Sequence, residues 1–277
     1  HGYMDMRDGI KQSCDIYFYE VARKLGIDRL SQTAKKFGLG KEVLNGFIEE
    51  RKGVVPNTKW KKKNIGKNWY LGETLHAGIG QGYWQSSPLQ LCLMTAQIAN
   101  GGYAIRPRII LDKDKDDFYD LDKFISDKKM FSDDVVSLYE FIAKFRYKSL
   151  FKNPENIKFV QDALFGATNE PGGTSYGSRL TKEEFIFAGK TGTSQVKRFT
   201  ALQRELEIKN EDLPFEERDH ALFVAFAPYK DPRYSISVVV EHGGSGSKSA
   251  APIAKKVIQK VLEKHSLREA KQRGETI

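Results

Sequence analysis

Two short clusters in this 277-residue chain hold side chains that can do chemistry together. The first, Lys190-Thr191-Gly192-Thr193, follows the apolar run Phe185-Ile186-Phe187-Ala188-Gly189. A cation, two hydroxyls and backbone amides beside a glycine suit a carboxylate or an oxyanion, which both need convergent donors. The second, Ser13-Cys14-Asp15, sets a hydroxyl two residues from a carboxylate. Such a pair can relay a proton only if the backbone turns, because residues two apart diverge on a regular helix. The same cluster permits a different chemistry. Cys14 at a helix start favours a thiolate, and with His76, His220 or His242 as base it would make a cysteine hydrolase.

Each cluster needs an element to hold it. Apolar residues at Ile10, Cys14, Tyr17, Phe18, Val21, Ala22 and Leu25 have helical spacing, which puts Ser13 and Asp15 at or just before a helix that starts near Asp15. A second short helix is expected over Ile27–Phe37. Gly38 to Gly72 reads as an irregular excursion, pinned by Trp60, Trp69 and Tyr70. Gly78-Ile79-Gly80-Gln81-Gly82 is a backbone-permissive segment. Ser87 and Pro88 then cap a helix that runs to Asn100 and stops at Gly101-Gly102. A charged surface excursion is expected over Asp112–Lys129, a capped helix over Ser132–Phe145 and another near Asn156–Phe165. The run Phe185–Val196 reads as a strand with the chemistry at its end. Alternation would give Thr191 and Thr193 one face, and Gly192 leaves the backbone open to a ligand. Lys197 to Asp219 is a long charged connection. His220–Ala227 and Tyr234–Glu241 read as an antiparallel hairpin, and Lys248–Lys264 as a closing amphipathic helix.

Composition bounds the class. Apolar content of 40% and charged content of 29% are those of an ordinary globular protein. The net charge of +9 is spread among 36 acids, so the basic footprint is diffuse and no nucleic-acid partner is expected. The one dense run, Lys59 to Lys63, reads as a solvated loop, and a polyanion-binding module would rest on it alone. Cys14 and Cys92 have no metal-ligand or disulfide spacing. No stretch approaches ~18 consecutive apolar residues. The chain opens at His1-Gly2-Tyr3 without an initiator methionine and reads as an excised piece.

The order of the motifs carries a resemblance. Ser13-Cys14-Asp15, the Gly-Ile-Gly-Gln-Gly segment before Ser-Pro-Leu-Gln-Leu, Lys190-Thr191-Gly192-Thr193 and the Phe-Ala-Pro hairpin resemble the transpeptidase domain of class B penicillin-binding proteins. The segments 69–91 and 27–39 are most similar to the elongation type, penicillin-binding protein two. The resemblance runs from Met6 to about Leu262. That family has the motifs Ser-x-x-Lys, Ser-x-Asn and Lys-Thr-Gly. Ser13-Cys14-Asp15 stands for the second, with aspartate in the third place as in the elongation subgroup, and Lys190-Thr191-Gly192 for the third. Ser-x-x-Lys occurs at Ser126, Ser149, Ser194 and Ser245. All four follow the second motif, where the family places its nucleophile before it, so the chain is expected to start downstream of the nucleophile.

The resemblance implies an α/β (α+β) fold of penicillin-binding/β-lactamase type. Residues 1–277 would be the C-terminal part of one transpeptidase domain, with a mainly helical lobe over 5–170 and sheet strands and a C-terminal helix over 180–265. Three strands are visible, so one sheet edge is expected to lack its usual neighbour. The implied activity is peptidoglycan D,D-transpeptidation through a serine acyl-enzyme, with no metal or organic cofactor. Ser13, Asp15 and Lys190 would be catalytic, with Lys190 bonded to Ser13. Thr191, Gly192 and Thr193 would bind substrate. Implied partners are stem peptides ending in D-Ala-D-Ala, β-lactams, a cell-wall elongation glycosyltransferase and scaffold proteins. The implied location is the periplasmic face of the cytoplasmic membrane, with an anchor upstream. A non-catalytic fragment or pseudoenzyme is the alternative for the chain as it stands.

Overall fold

The computed structural model describes residues 1–44, 49–107, 109, 148–197, 205, 206 and 208–272. The expected excursion at 112–129 and helix at 132–145 lie outside them. Six helices come first: α1 (Met6–Lys11), α2 (Asp15–Leu25), α3 (Ile27–Lys36), α4 (Thr58–Ile65), α5 (Leu71–Gly78) and α6 (Pro88–Ala99). After the gap come α7 (Glu155–Asn169), β1 (Ala188–Ser194), β2 (His220–Ala227), β3 (Tyr234–Val240) and the closing helix α8 (Ala251–Gln272).

The sheet is antiparallel in the order β1-β2-β3. Lys190 lies opposite Val224, Thr191 opposite Phe223 and Thr193 opposite Ala221. Because side chains alternate, the register sorts two faces. Ala221, Phe223, Ala225 and Ala227 pack against Ala251, Ala254, Ile258 and Leu262 of α8. On the other face Ala188 and Phe226 meet Leu164 of α7, with Ile10 and Ile98 packed against them. Among the described residues β3 has no strand on its outer side.

The strand that carries the chemistry differs from its expected span. Glu183–Phe185 is a 3-10 turn, and pairing starts at Ala188, so Lys190-Thr191-Gly192-Thr193 lies inside β1 and not beyond its end. Pairing stops there because β2 ends at Ala227, before a proline that has no N–H to donate. Phe185 and Phe187 are buried in the sheet core without a strand partner.

The reading of Gly38 to Gly72 as irregular is corrected by α4 and the first turn of α5. Asn57 caps α4, its side chain accepting the Trp60 N–H at 2.7 Å. Lys61, expected in a solvated loop, is 2% exposed. It pairs with Glu73 and lies over the rings of Tyr70 and Trp69. The partners that bury this lysine come from α5 and the turn before it. A basic run therefore folded because a carboxylate and aromatic faces came to it.

Charged pairing also fixes α1 against α7. The Arg7 guanidinium donates to Asp162 at 2.5 Å and to both oxygens of Glu170 at 2.6 and 3.0 Å. Lys11 Nζ donates to the same Glu170 at 2.8 Å. These donors hold the Glu170 carboxyl far below the usual range, at about 2.

Candidate active site

Ser13 sits between α1 and α2 in a left-handed conformation, φ 55°. Its N–H bonds the Ile10 carbonyl at 3.3 Å, and the Cys14 N–H bonds the Gly9 carbonyl at 2.9 Å. This pair of bonds is a Schellman helix stop, and Ser13 occupies the position where glycine is usual. A non-glycine residue there costs about 1–3 kcal/mol. The turn does what a regular helix cannot, placing exposed Ser13 and exposed Asp15 on either side of buried Cys14. The Ser13 hydroxyl has no hydrogen-bond partner among the described residues. Cys14, 6% exposed, caps nothing with its side chain. None of the three candidate histidines is bonded to it: His220 Nδ1 accepts the His242 N–H at 2.9 Å, and His242 Nδ1 lies 3.0 Å from the Arg218 carbonyl.

Lys190 shares a sheet face with Ala188, the face turned to α7 and the first helices. Burial lowers its pKa from the ordinary 10.5 to about 8, and the Asp15 carboxylate opposes that fall. Asp15 is thus the charge that the lysine senses. The expected bond from Lys190 to Ser13 is not formed: Nζ donates to the Thr191 carbonyl at 3.2 Å.

Thr191 and Thr193 share a face, as alternation requires, but it is the face opposite Lys190. Cation and hydroxyls can therefore meet a ligand together only at the outer edge of β1. The Thr191 hydroxyl donates to the Thr174 hydroxyl at 3.1 Å, and Thr174 is itself held by its N–H to the Lys11 carbonyl at 3.3 Å. Thr193 is exposed.

The polarity of that edge follows from two bonds. The Gly189 N–H donates outward to the Thr168 hydroxyl at 3.1 Å. A strand residue aims its N–H and C=O the same way, and alternate residues share that direction. Gly189, Thr191 and Thr193 hence face outward. The Thr193 carbonyl confirms the direction by accepting from Gln81 Nε2 at 2.8 Å. The N–H groups of Thr191 and Thr193 are therefore aimed outward from the sheet, away from β2. Gly192 lies between them, its neighbour Gly246 so near that a Cβ there would stand 2.5 Å from the Gly192 carbonyl.

Sequence reasoning missed Thr168, Thr174 and Gln81. Gln81 had a signal, as the one polar side chain between Gly80 and Gly82, both at positive φ. The two threonines had none. Among the described residues no group of three or more His, Cys, Asp or Glu side chains could hold a metal ion, and no helix is long and apolar enough to cross a membrane.

The three later Ser-x-x-Lys matches that lie in described residues fit a nucleophile poorly. Lys152 is exposed, and Lys197 and Lys248 have side chains 47% and 78% exposed. None is desolvated enough to be held neutral.

Known proteins resemble this chain along most of its length. The penicillin binding protein transpeptidase domain matches residues 1–259. The peptidoglycan D,D-transpeptidase MrdA of Salmonella typhimurium is 32% identical over 265 residues, 95% of this chain and 39% of that protein. MrdA of Escherichia coli is 31% identical over 246 residues, 89% of this chain and 35% of that protein. Among solved structures, the complex between penicillin-binding protein PBP2 and MreC from Helicobacter pylori matches with TM-score 0.73 and 27% identity, over 95% of this chain and 41% of that one. Pseudomonas aeruginosa PBP2 in complex with WCK 5153 matches with TM-score 0.69 and 32% identity, over 93% and 49%. The chain thus spans less than half the length of these relatives, and its fold is of the penicillin-binding/β-lactamase-like type. With ordered motifs, sheet topology and a match over nearly its whole length in agreement, the chain belongs to the penicillin-binding protein transpeptidase domain family.

Proposed function

We propose that this chain forms two walls of the acyl-transfer cleft of a peptidoglycan D,D-transpeptidase that cross-links stem peptides during cell-wall elongation. The observation that carries the reading is that Asp15, two residues from the strained and unbonded Ser13, is the carboxylate whose charge reaches Lys190, a lysine whose proton affinity burial has reduced. The nucleophilic serine and its lysine are supplied by a Ser-x-x-Lys segment outside this chain. The serine oxygen attacks the carbonyl of the penultimate D-Ala while its proton passes to that lysine. The resulting oxyanion is stabilised by the Thr193 N–H and the serine's own N–H. Ser13 relays the proton held by that lysine to the leaving D-Ala amine as the C–N bond breaks, giving up its own proton and taking the lysine's. Attack by the amine of a neighbouring stem peptide then releases the serine and forms the cross-link.

Lys190 supplies positive potential beside Ser13, and Asp15 sets how readily that lysine keeps its proton. Thr191 and Thr193 receive the substrate carboxylate at the strand edge, and Gly192 lets it approach. β-Lactams acylate the same serine. The site works on the periplasmic face of the cytoplasmic membrane, and the solved complex of PBP2 with MreC supports a scaffold protein as partner; a glycosyltransferase is the second. Residues 1–277 are read as part of one domain, the helices over 5–170 forming one wall and 180–265 the other.

Fluorescent penicillin tests this. Covalent labelling is expected of the complete protein, with labelling slowed about 10²-fold or more by Ser13→Ala or Lys190→Ala, and none of this chain alone. Labelling of the chain alone, or full-rate labelling of either variant, overturns the reading.

A further inference from the structure

We propose that Gln81 is a positioning residue that aims the Thr193 N–H, by serving as the missing neighbour at the outer edge of β1. The proposal rests on the transpeptidase reading above for the use of that N–H, and on geometry for the clamp. The Gln81 carboxamide makes two bonds to the strand: Nε2 donates to the Thr193 carbonyl at 2.8 Å, and Oε1 accepts the Gln195 N–H at 3.4 Å. One peptide group of an adjoining strand would offer that same donor and acceptor.

The need for a clamp lies in Gly192. The Thr193 N–H belongs to the peptide plane between Gly192 and Thr193, which the sheet holds only from the inner side, through the Gly192 carbonyl opposite Leu222. The planes on either side are both pinned. Lys190 Nζ holds the Thr191 carbonyl on one side, and Gln81 holds the Thr193 carbonyl on the other. Releasing either removes one of the two outer supports of that plane and leaves it held only by the Gly192 carbonyl, on the side of Leu222.

Gln81 can act as an anchor because its own backbone is fixed. Its N–H bonds the His76 carbonyl at 3.0 Å, and the Gly80 N–H bonds the Ala77 carbonyl at 3.1 Å, which ties the loop to the end of α5. The Trp84 indole N–H donates to the same Ala77 carbonyl at 3.1 Å. At Gly78, α5 packs so closely on α2 that a Cβ would stand 2.4 Å from the Ala22 Cβ. The helix that begins beside Ser13 and the strand edge that carries Thr193 are therefore joined through α5 and one carboxamide. Gln81 sets the gap between the two walls.

The experiment compares Gln81→Ala and Gln81→Glu by two readouts. In this chain, backbone amide exchange at Gln195 should speed about fivefold in Gln81→Ala, the worth of one ordinary hydrogen bond, and stay near wild type in Gln81→Glu, whose carboxylate still accepts that N–H, with Gly189, held by Thr168, unchanged in both. In the complete protein, the limiting rate of acylation by a fluorescent penicillin should fall about 10- to 100-fold for Ala, with little change in half-saturating concentration. Glu should be worse than Ala, since a carboxylate cannot donate to the Thr193 carbonyl and sets negative charge near the developing oxyanion. Unchanged exchange in Gln81→Ala, unchanged acylation, or a Glu variant as active as wild type overturns the clamp, because Glu preserves size and a packing role alone would tolerate it. Wild-type complete protein that is not acylated at all overturns the transpeptidase reading itself, and the clamp's catalytic role with it.

Discussion

Replacing Lys190 by methionine is predicted to make the fold more stable while removing its function. Burial lowers the lysine pKa from 10.5 to about 8, against the pull of Asp15. At about 1.4 kcal/mol per tenfold change in proton affinity, holding this lysine charged at neutral pH costs the native state about 3 kcal/mol. The sign follows from which state releases its proton first. Between pH 8 and 10.5 the native lysine is losing its proton while the unfolded one keeps it, so the unfolded chain binds more protons and stability rises with pH. Methionine keeps an unbranched apolar stem in the same place and removes the charge. It also loses the 3.2 Å bond to the Thr191 carbonyl, worth about 1 kcal/mol. The variant should therefore be more stable than wild type by about 2 kcal/mol at neutral pH. Above pH 10.5, where both side chains are neutral, it should be less stable by about 1 kcal/mol. Denaturant unfolding of this chain at neutral and strongly basic pH reads both numbers. A wild-type stability that stays flat across that window, or a methionine variant less stable at neutral pH, refutes the assignment of an uncompensated cation to this strand.

Glu170→Gln should show the opposite linkage. The Arg7 and Lys11 bonds hold the Glu170 carboxyl at about 2, so its stabilisation is complete above the ordinary 4.5 and is lost as pH falls through 2. With a side chain 30% exposed, the cost of the variant at neutral pH is about 1–2 kcal/mol after solvent screening. Urea unfolding should find that cost shrinking toward zero at the acid end, and a cost independent of pH would count against the ion pairing. Ser13→Gly relieves the left-handed strain and should raise stability by up to about 1 kcal/mol, a shift in Tm of a few degrees. Penicillin labelling of the complete protein should fall with it, and a less stable glycine variant would contradict the helix-stop geometry.

What could be read in the sequence was local. The caps of α6, the period of α2 and the alternation of β2 and β3 all depend on residues within a turn or a strand of each other, and those elements lie where they were expected. The break at Ser13 was legible as a necessity, since Ser13 and Asp15 cannot converge otherwise. What was not legible depends on partners far away in the chain. Gln81 meets Thr193 across 112 residues, and a glycine-flanked glutamine carries no mark of the strand edge it will meet. Lys61 looked solvated because the run around it is charged, and its burial needs Glu73, Tyr70 and Trp69 to arrive from a different helix and turn. The bond from the Gly189 N–H to the Thr168 hydroxyl shows which way the edge of β1 faces, and nothing near either residue announces it.

Burial of a charge does not by itself mark the site, as buried Lys61 and half-buried Lys190 show. Lys61 is enclosed more completely than Lys190, yet it has a carboxylate and two aromatic faces around it, so its burial is compensated and belongs to the scaffold. Lys190 makes no ion pair among the described residues, and its one hydrogen bond goes to the next residue's carbonyl. Ser13 repeats the pattern in the backbone, holding a conformation that glycine would hold at less cost while its hydroxyl stays unbonded. Two residues thus each weaken the fold, one by desolvation and one by strain. A sequence selected for stability alone would have methionine and glycine there. The reaction proposed above needs a proton donor and a cation where the fold would prefer neither.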